Sequence, residues 1–214
     1  MSLAALRRRI SCAVGRCSSG ARGFLSLPGM GMLSLRKRYK DSLVFPFSRE
    51  QVFDVVADID NYRAFVPMCT DSRVLVGSER TKKADSINPA TLRAEIIERR
   101  CIQAELAVGY PPFSERYTSV VELDRPWRVV ATADPAGGLF KHMRTVWEFV
   151  EQGRESSAAA TAAVGPADNV LVSFSVEFEF ASPVHAQAAS LVFDSVAKRN
   201  LTAYLGRCRQ LYAK

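Results

Sequence analysis

The chain is poor in groups that could assemble into a reaction centre. It has two histidines, His142 and His185, and no serine elbow, phosphate loop or metal-spaced His/Glu cluster. His142, in "FKHMRTVW", has Phe140 and Arg144 two residues to either side and reads as a solvated surface residue, and His185 is expected to be exposed as well. The acids pair no better. Glu95 and Glu98 are three apart and Glu115 and Glu122 seven apart, so on strands each pair points to opposite faces. Glu177 and Glu179 share a face, but it is the polar one. Arg116, between Glu115 and Tyr117 in "FSERYTS", reads as half of a cross-strand ion pair. Cys69, Cys101 and Cys208 lie far apart without CxxC spacing, which supports neither a disulfide framework nor a zinc site. "GMGML" at 29–33 lacks the preceding strand that a nucleotide-binding turn needs. The expectation is no catalytic residue, no metal and no catalytic cofactor.

What the chain has in excess is apolar surface facing one way. In "VLVSFSVEFEF" Val170, Val172, Phe174, Val176, Phe178 and Phe180 fill the even positions, and the odd ones are mostly polar. Period-two alternation of this length marks an antiparallel strand with one buried and one wet face. Leu106 and Val108 in "AELAV", and Trp147 and Phe149 in "TVWEFV", repeat the pattern, and Phe113 follows the turn signal "GYPP". Each would serve in an ordinary core. As a set they are more numerous than a plain core requires.

The elements follow from the same patterns. Residues 39–47 read as a strand, Ser48 as the N-cap of a helix with Val52, Phe53, Val56 and Ile59 at helical spacing, and 61–65 as a second helical turn ended by Pro67. Residues 69–78 are extended and the polar stretch 78–90 is expected to be a loop. Extended segments follow at 91–98, 101–109, 114–123, 127–133, 140–150 and 169–181. "DRP" at 124–126 and "ADPAGG" at 133–138 mark turns, and the Ala-rich 151–168 a loop. Residues 183–213 form one amphipathic helix of about 30 residues, or about 45 Å, with Phe193, Val196, Leu201, Tyr204 and Cys208 in its apolar stripe. The fold class is α+β: a curved antiparallel meander covered by the C-terminal helix. A straight helix cannot touch a strongly curved sheet along its whole length, so the fold predicts an apolar cavity between them.

Charge separates the chain into two parts. The first 40 residues carry seven Arg, two Lys and no acid, which leaves 20 basic and 22 acidic side chains in the other 174 residues, a net of −2. An Arg-rich, Ser-containing, acid-free leader over 1–38 reads as a mitochondrial transit peptide preceding a domain over 39–214. The near-neutral domain argues against direct nucleic-acid binding.

The stretches "REQVFDVVADIDNYRAFVPMC", "AELAVGYPPFSERYTSVVEL", "LFKHMRTVWEF", "VSFSVEFEF" and "VFDSVAKRNLTAYLGRCRQLY" resemble, in order over about residues 39–213, the coenzyme Q-binding START-domain family. That family is related to the polyketide cyclase/aromatase-like proteins. The resemblance implies a helix-grip fold whose cavity binds ubiquinone or a related polyprenyl quinone. It also implies a peripheral mitochondrial protein on the matrix side of the inner membrane, serving coenzyme Q synthesis or its delivery to the respiratory chain, with proteins of either process as partners. On this reading Tyr62, Phe65, Val66 and Pro67, an unusually apolar turn, form a wall or lid, and Tyr117, Tyr110 and Arg116 are positioned to donate to the quinone head. A cyclase-type enzyme and a protein- or ribosome-binding module of the same fold are the alternatives. The first would need a polar pair inside the cavity.

Overall fold

The structure, a computed structural model, describes residues 36–87, 94–110, 113–152, 169–190 and 193–213. Strand β1 (Arg36–Phe45) leads into helix α1 (Arg49–Ala57) and a 3-10 helix over Ile59–Ala64. Strands β2 (Cys69–Val74), β3 (Arg80–Ile87), β4 (Ala94–Tyr110), β5 (Phe113–Asp124), β6 (Arg128–Ala133), β7 (Phe140–Glu151) and β8 (Val170–Phe180) follow. Helices α2 (Pro183–Ser190) and α3 (Phe193–Tyr212) end the chain. The strands form one curved antiparallel sheet in the order β1-β8-β7-β6-β5-β4-β2, with β3 also paired to β4. This is the expected helix-grip architecture. Ser48 caps α1 in a reciprocal box, its Oγ accepting from Gln51 N at 3.2 Å while Ser48 N donates to Gln51 Oε1 at 3.0 Å.

Several expectations change. Part of the polar stretch 78–90 is not a loop, because Arg80–Ile87 pairs with Ala94–Cys101 as β3. Its side chains are exposed at 80–83 and 85, so no apolar alternation betrays the strand, and its lysines suit an unprotected edge. The two segments expected at 91–98 and 101–109 are one strand, β4, whose first half pairs with β3 and second half with β2. The sheet begins at Arg36, inside the span read as leader. The rest of that leader, and 153–168 of the Ala-rich loop, lie outside the described residues. So do residues 191–192 between α2 and α3, so the single long helix is described as two.

Burial follows the alternation: every even residue of β8 except Val176 is buried and every odd one is partly exposed. The apolar interior falls into two clusters. One gathers Phe45, Val52, Val56, Phe149, Val172 and Cys208 around α1 and α3. The other holds Leu139, Phe140, Met143, Phe178, Phe180 and Ala186 under α2. A cavity is lined from both.

Candidate functional site

The cavity is about 280 Å³, bounded by the inward faces of β4 to β8 on one side and by α3 and the turn after the 3-10 helix on the other. Period-two facing explains its sheet wall. Leu106 and Val108 come from β4, Tyr117, Ser119 and Val121 from β5, Val129 and Ala131 from β6, Met143, Thr145 and Trp147 from β7, and Phe174, Val176 and Phe178 from β8. Phe140 closes it near α2. The helix contributes Val196, Asn200 and Tyr204, one turn apart on one face. Trp147 joins the layers, its ring centroid 4.5 Å from both Phe174 and Tyr204.

Two small residues, Ser119 and Ala131, stand among the bulkier ones of the sheet wall. Ser119 pairs across strands with Ala104 on one side and Ala133 on the other, and Ala131 opposes Val121.

The apolar turn forms part of the wall. Tyr62 meets Phe65 and Tyr204 edge-on at 5.8 and 5.6 Å, and Phe65 meets Tyr204 at 5.1 Å, contacts worth about 0.5–1.5 kcal/mol each beyond their burial. The Tyr62 hydroxyl donates to the Val56 carbonyl. Burial pushes both phenols well above their ordinary range. Behind them Val66 and Pro67 face the cavity, and Gly109 N donates to Met68 O at 2.9 Å, tying the turn to β4. Gly109 has to be glycine for this approach, since a Cβ there would come within 2.8 Å of the Thr70 methyl.

Of the residues singled out from sequence, the cavity brings together Tyr62, Val66, Pro67, Leu106, Val108, Tyr117, Trp147, Phe174, Val176, Phe178 and Val196. Phe65 stands one layer back, packed on Tyr62 and Tyr204. Phe149 is not at the cavity: it is fully buried against Phe53, edge to face at 6.0 Å, under α1. The side chains of Tyr110, Phe113 and Phe193 lie outside the described residues. Arg116 belongs to the other face of β5, where it is half-exposed and bonds Asp71 at 3.0 Å and Glu105 at 2.9 Å, so it is no cavity donor. Sequence reasoning missed Ser119, Thr145, Asn200 and Tyr204, and the apolar Ile59, Val121, Val129, Ala131, Phe140 and Met143. The only signal for Ser119 was a small polar residue in the inward phase of a strand, and for Asn200 an amide inside an apolar helical stripe.

Three of the acids weighed as catalysts are engaged by Lys or Arg. Glu177 meets Arg36 and Arg38, Glu179 meets Lys141, and Glu122 meets Lys82 and Arg99. His185 is half-buried rather than exposed, because Glu115 of β5 holds its Nε2 at 3.0 Å. His142 is exposed. Asp124 is 1% exposed and binds Arg99 at 2.6 and 2.9 Å and Arg128 at 3.1 Å, tying β4 to the end of β5 and the start of β6. Among the described residues no group of three or more His, Cys, Asp or Glu could hold a metal ion, and no helix is long and apolar enough to cross a membrane.

Comparison with known proteins places these features. The model of the family described as "Polyketide cyclase / dehydrase and lipid transport" matches residues 45–204. The chain is 33% identical over 90% of its length to the coenzyme Q-binding protein COQ10 homolog B, mitochondrial, of Xenopus laevis, and spans 66% of that protein. It is 28% identical over 96% of its length to the coenzyme Q-binding protein COQ10, mitochondrial, of Drosophila melanogaster, spanning 73% of it. A more distant relative, 23% identical over 80% of the chain and 94% of its own length, is the ribosome association toxin RatA of Pseudomonas aeruginosa. Among solved structures, the Zhui aromatase/cyclase from Streptomyces sp. R1128 superposes with a TM-score of 0.56 at 13% identity, covering 83% of this chain and 97% of that one, which speaks for the fold alone.

Proposed function

The chain belongs to the polyketide cyclase/dehydrase and lipid transport family, and from that premise we propose that it binds coenzyme Q or a related polyprenyl quinone and does not transform it. The observation that carries this reading is the apolar cavity between sheet and helix, in a chain whose relatives are named for coenzyme Q binding. Burial of the guest's hydrocarbon against this wall supplies affinity at about 25 cal/mol per Å², less the ordering costs. Tyr117, half-buried at the cavity and with no hydrogen-bond partner among the described residues, serves as a donor to the head group. The acid-free basic leader and the mitochondrial names of the relatives support a mitochondrial protein. It acts peripherally on the matrix side of the inner membrane, in quinone synthesis or delivery to the respiratory chain.

The RatA relatives favour a second reading, a ribosome-associated module. The net −2 of the chain beyond residue 40 weighs against it, since binding to RNA draws on clustered basic charge.

The test is mass spectrometry of solvent extracts from the full chain purified from quinone-producing cells, beside Leu106→Glu. Leu106 lines the cavity yet is partly exposed, so a carboxylate there is compatible with folding. The expected result is a stoichiometric prenylated quinone in the wild type and none in the variant. A wild type that stays empty after exposure to quinone-loaded vesicles overturns the proposal, and co-sedimentation with ribosomes would then establish the second reading.

A further inference from the structure

Besides the Tyr117 hydroxyl, the side chains of Ser119 and Asn200 are at odds with the hydrocarbon character of the cavity. Ser119 is 1% exposed, and its Oγ is buried with no hydrogen-bond partner. It stands on β5 between Tyr117 and Val121, which both line the cavity, so strand periodicity aims it the same way. Packing does not account for the hydroxyl. The cross-strand neighbours on both sides are Ala104 and Ala133, and alanine at 119 would fill the same space without stranding a polar group. Opposite, Asn200 occupies the position between Val196 and Tyr204 on the cavity-facing side of α3, and its amide makes no hydrogen bond among the described residues. Asparagine is a poor residue for a helix interior, and among the described residues no hydrogen-bond partner repays it.

The volume adds a constraint. An apolar cavity of about 150 Å³ accepts benzene, so one of about 280 Å³ has room for a substituted ring and the start of a side chain. A long polyprenyl tail exceeds it. Ser119, Val121, Val129 and Trp147 are buried, whereas Val66, Pro67, Val108 and Asn200 are among the partly exposed lining residues.

Resting on the quinone reading above, we infer that Ser119 and Asn200 form a two-sided polar clamp for the oxygens of the quinone ring. The head enters first, the Ser119 hydroxyl donates to one ring carbonyl, and the Asn200 amide donates to another ring oxygen from the helix. The tail beyond its first units leaves past Val66, Pro67 and Val108. The protein therefore selects for the head and is indifferent to tail length, while keeping the redox-active ring away from water.

The test titrates the full chain and its Ser119→Ala and Asn200→Leu variants with two probes: a ubiquinone bearing two isoprene units, and a benzene ring bearing the same chain without ring oxygens. Each variant is expected to bind the quinone about five-fold more weakly, the worth of one hydrogen bond, and the oxygen-free probe as well as or better than wild type does. The infrared carbonyl band of the bound quinone should shift back toward its position in hydrocarbon solvent in Ser119→Ala. Urea midpoints at or above wild type exclude a folding effect, and the two variants test the clamp independently should one fail to fold. Equal weakening for both probes, or none for either, overturns the clamp and leaves the quinone reading standing. A wild type that binds the oxygen-free probe and not the quinone overturns both.

Discussion

Ala131→Leu separates a functional cavity from an ordinary core by the sign of its effect. Ala131 lies on the inward face of β6, opposite Val121 and Thr145, and lines the void. The substitution adds three carbons. At about 0.8 kcal/mol per buried methylene they gain about 2.4 kcal/mol, less about 0.5–1 kcal/mol of leucine rotamer entropy. The expected outcome is stabilisation by about 1.5 kcal/mol, or about 3–6 °C in Tm for a domain of this size. In close-packed core the same change would cost about 1–3 kcal/mol. The assay is urea and thermal denaturation of the ligand-free full chain, paired with quinone retention after purification. Stability should rise while retention falls at least about ten-fold, the trade expected when a site is filled. Destabilisation with retention intact would refute the reasoning, since it would mean that the space over Ala131 is already occupied and the guest lies elsewhere.

Two further outcomes concern the frame around the site. Asp124→Asn should cost about 3–5 kcal/mol in urea denaturation, because Arg99, 11% exposed, would be left in the sheet without its bidentate carboxylate; a loss under about 1 kcal/mol would contradict a buried ion-pair clamp. Burial pushes the Cys208 thiol up to about 12 from an ordinary 9.0, so its contribution to stability is complete below pH 9 and is lost as pH rises toward 12. The slope is at most about 1.4 kcal/mol per pH unit for one group, and Tyr62, Tyr117 and Tyr204, also raised by burial, extend the loss above pH 10. Cys208→Ala should flatten the stability profile between pH 9 and 10; an unchanged slope there would show that the thiol is not desolvated.

Much of the architecture was legible because it depends on short-range periodicity. The alternation of "VLVSFSVEFEF" assigns Phe174 and Phe178 to the inner face whatever stands opposite, Ser48 announces its helix through a local hydrogen bond, and the stripe through Val196 and Tyr204 needs a sheet to cover. The apolar turn at Tyr62–Pro67 could be recognised as packing under something. Strand β3 could not be read, because an edge strand wetted on both faces has no apolar phase.

Facing inward and lining a void are different properties, and only the tertiary structure separates them. Trp147 and Phe149 share one phase of β7, yet Trp147 borders the cavity and Phe149 packs on Phe53, because α1 covers one stretch of the strand and not the other. Tyr117 and Arg116 are adjacent, and the pleat sends one into the cavity and the other to Asp71 and Glu105 on the outside. Ser119 matters because β4 and β6 bring Ala104 and Ala133 beside it, and Asn200 because α3 turns that position toward the sheet. Whether an inward side chain meets a partner or empty space depends on sheet curvature and on neighbours from other strands, which no local pattern in the chain encodes.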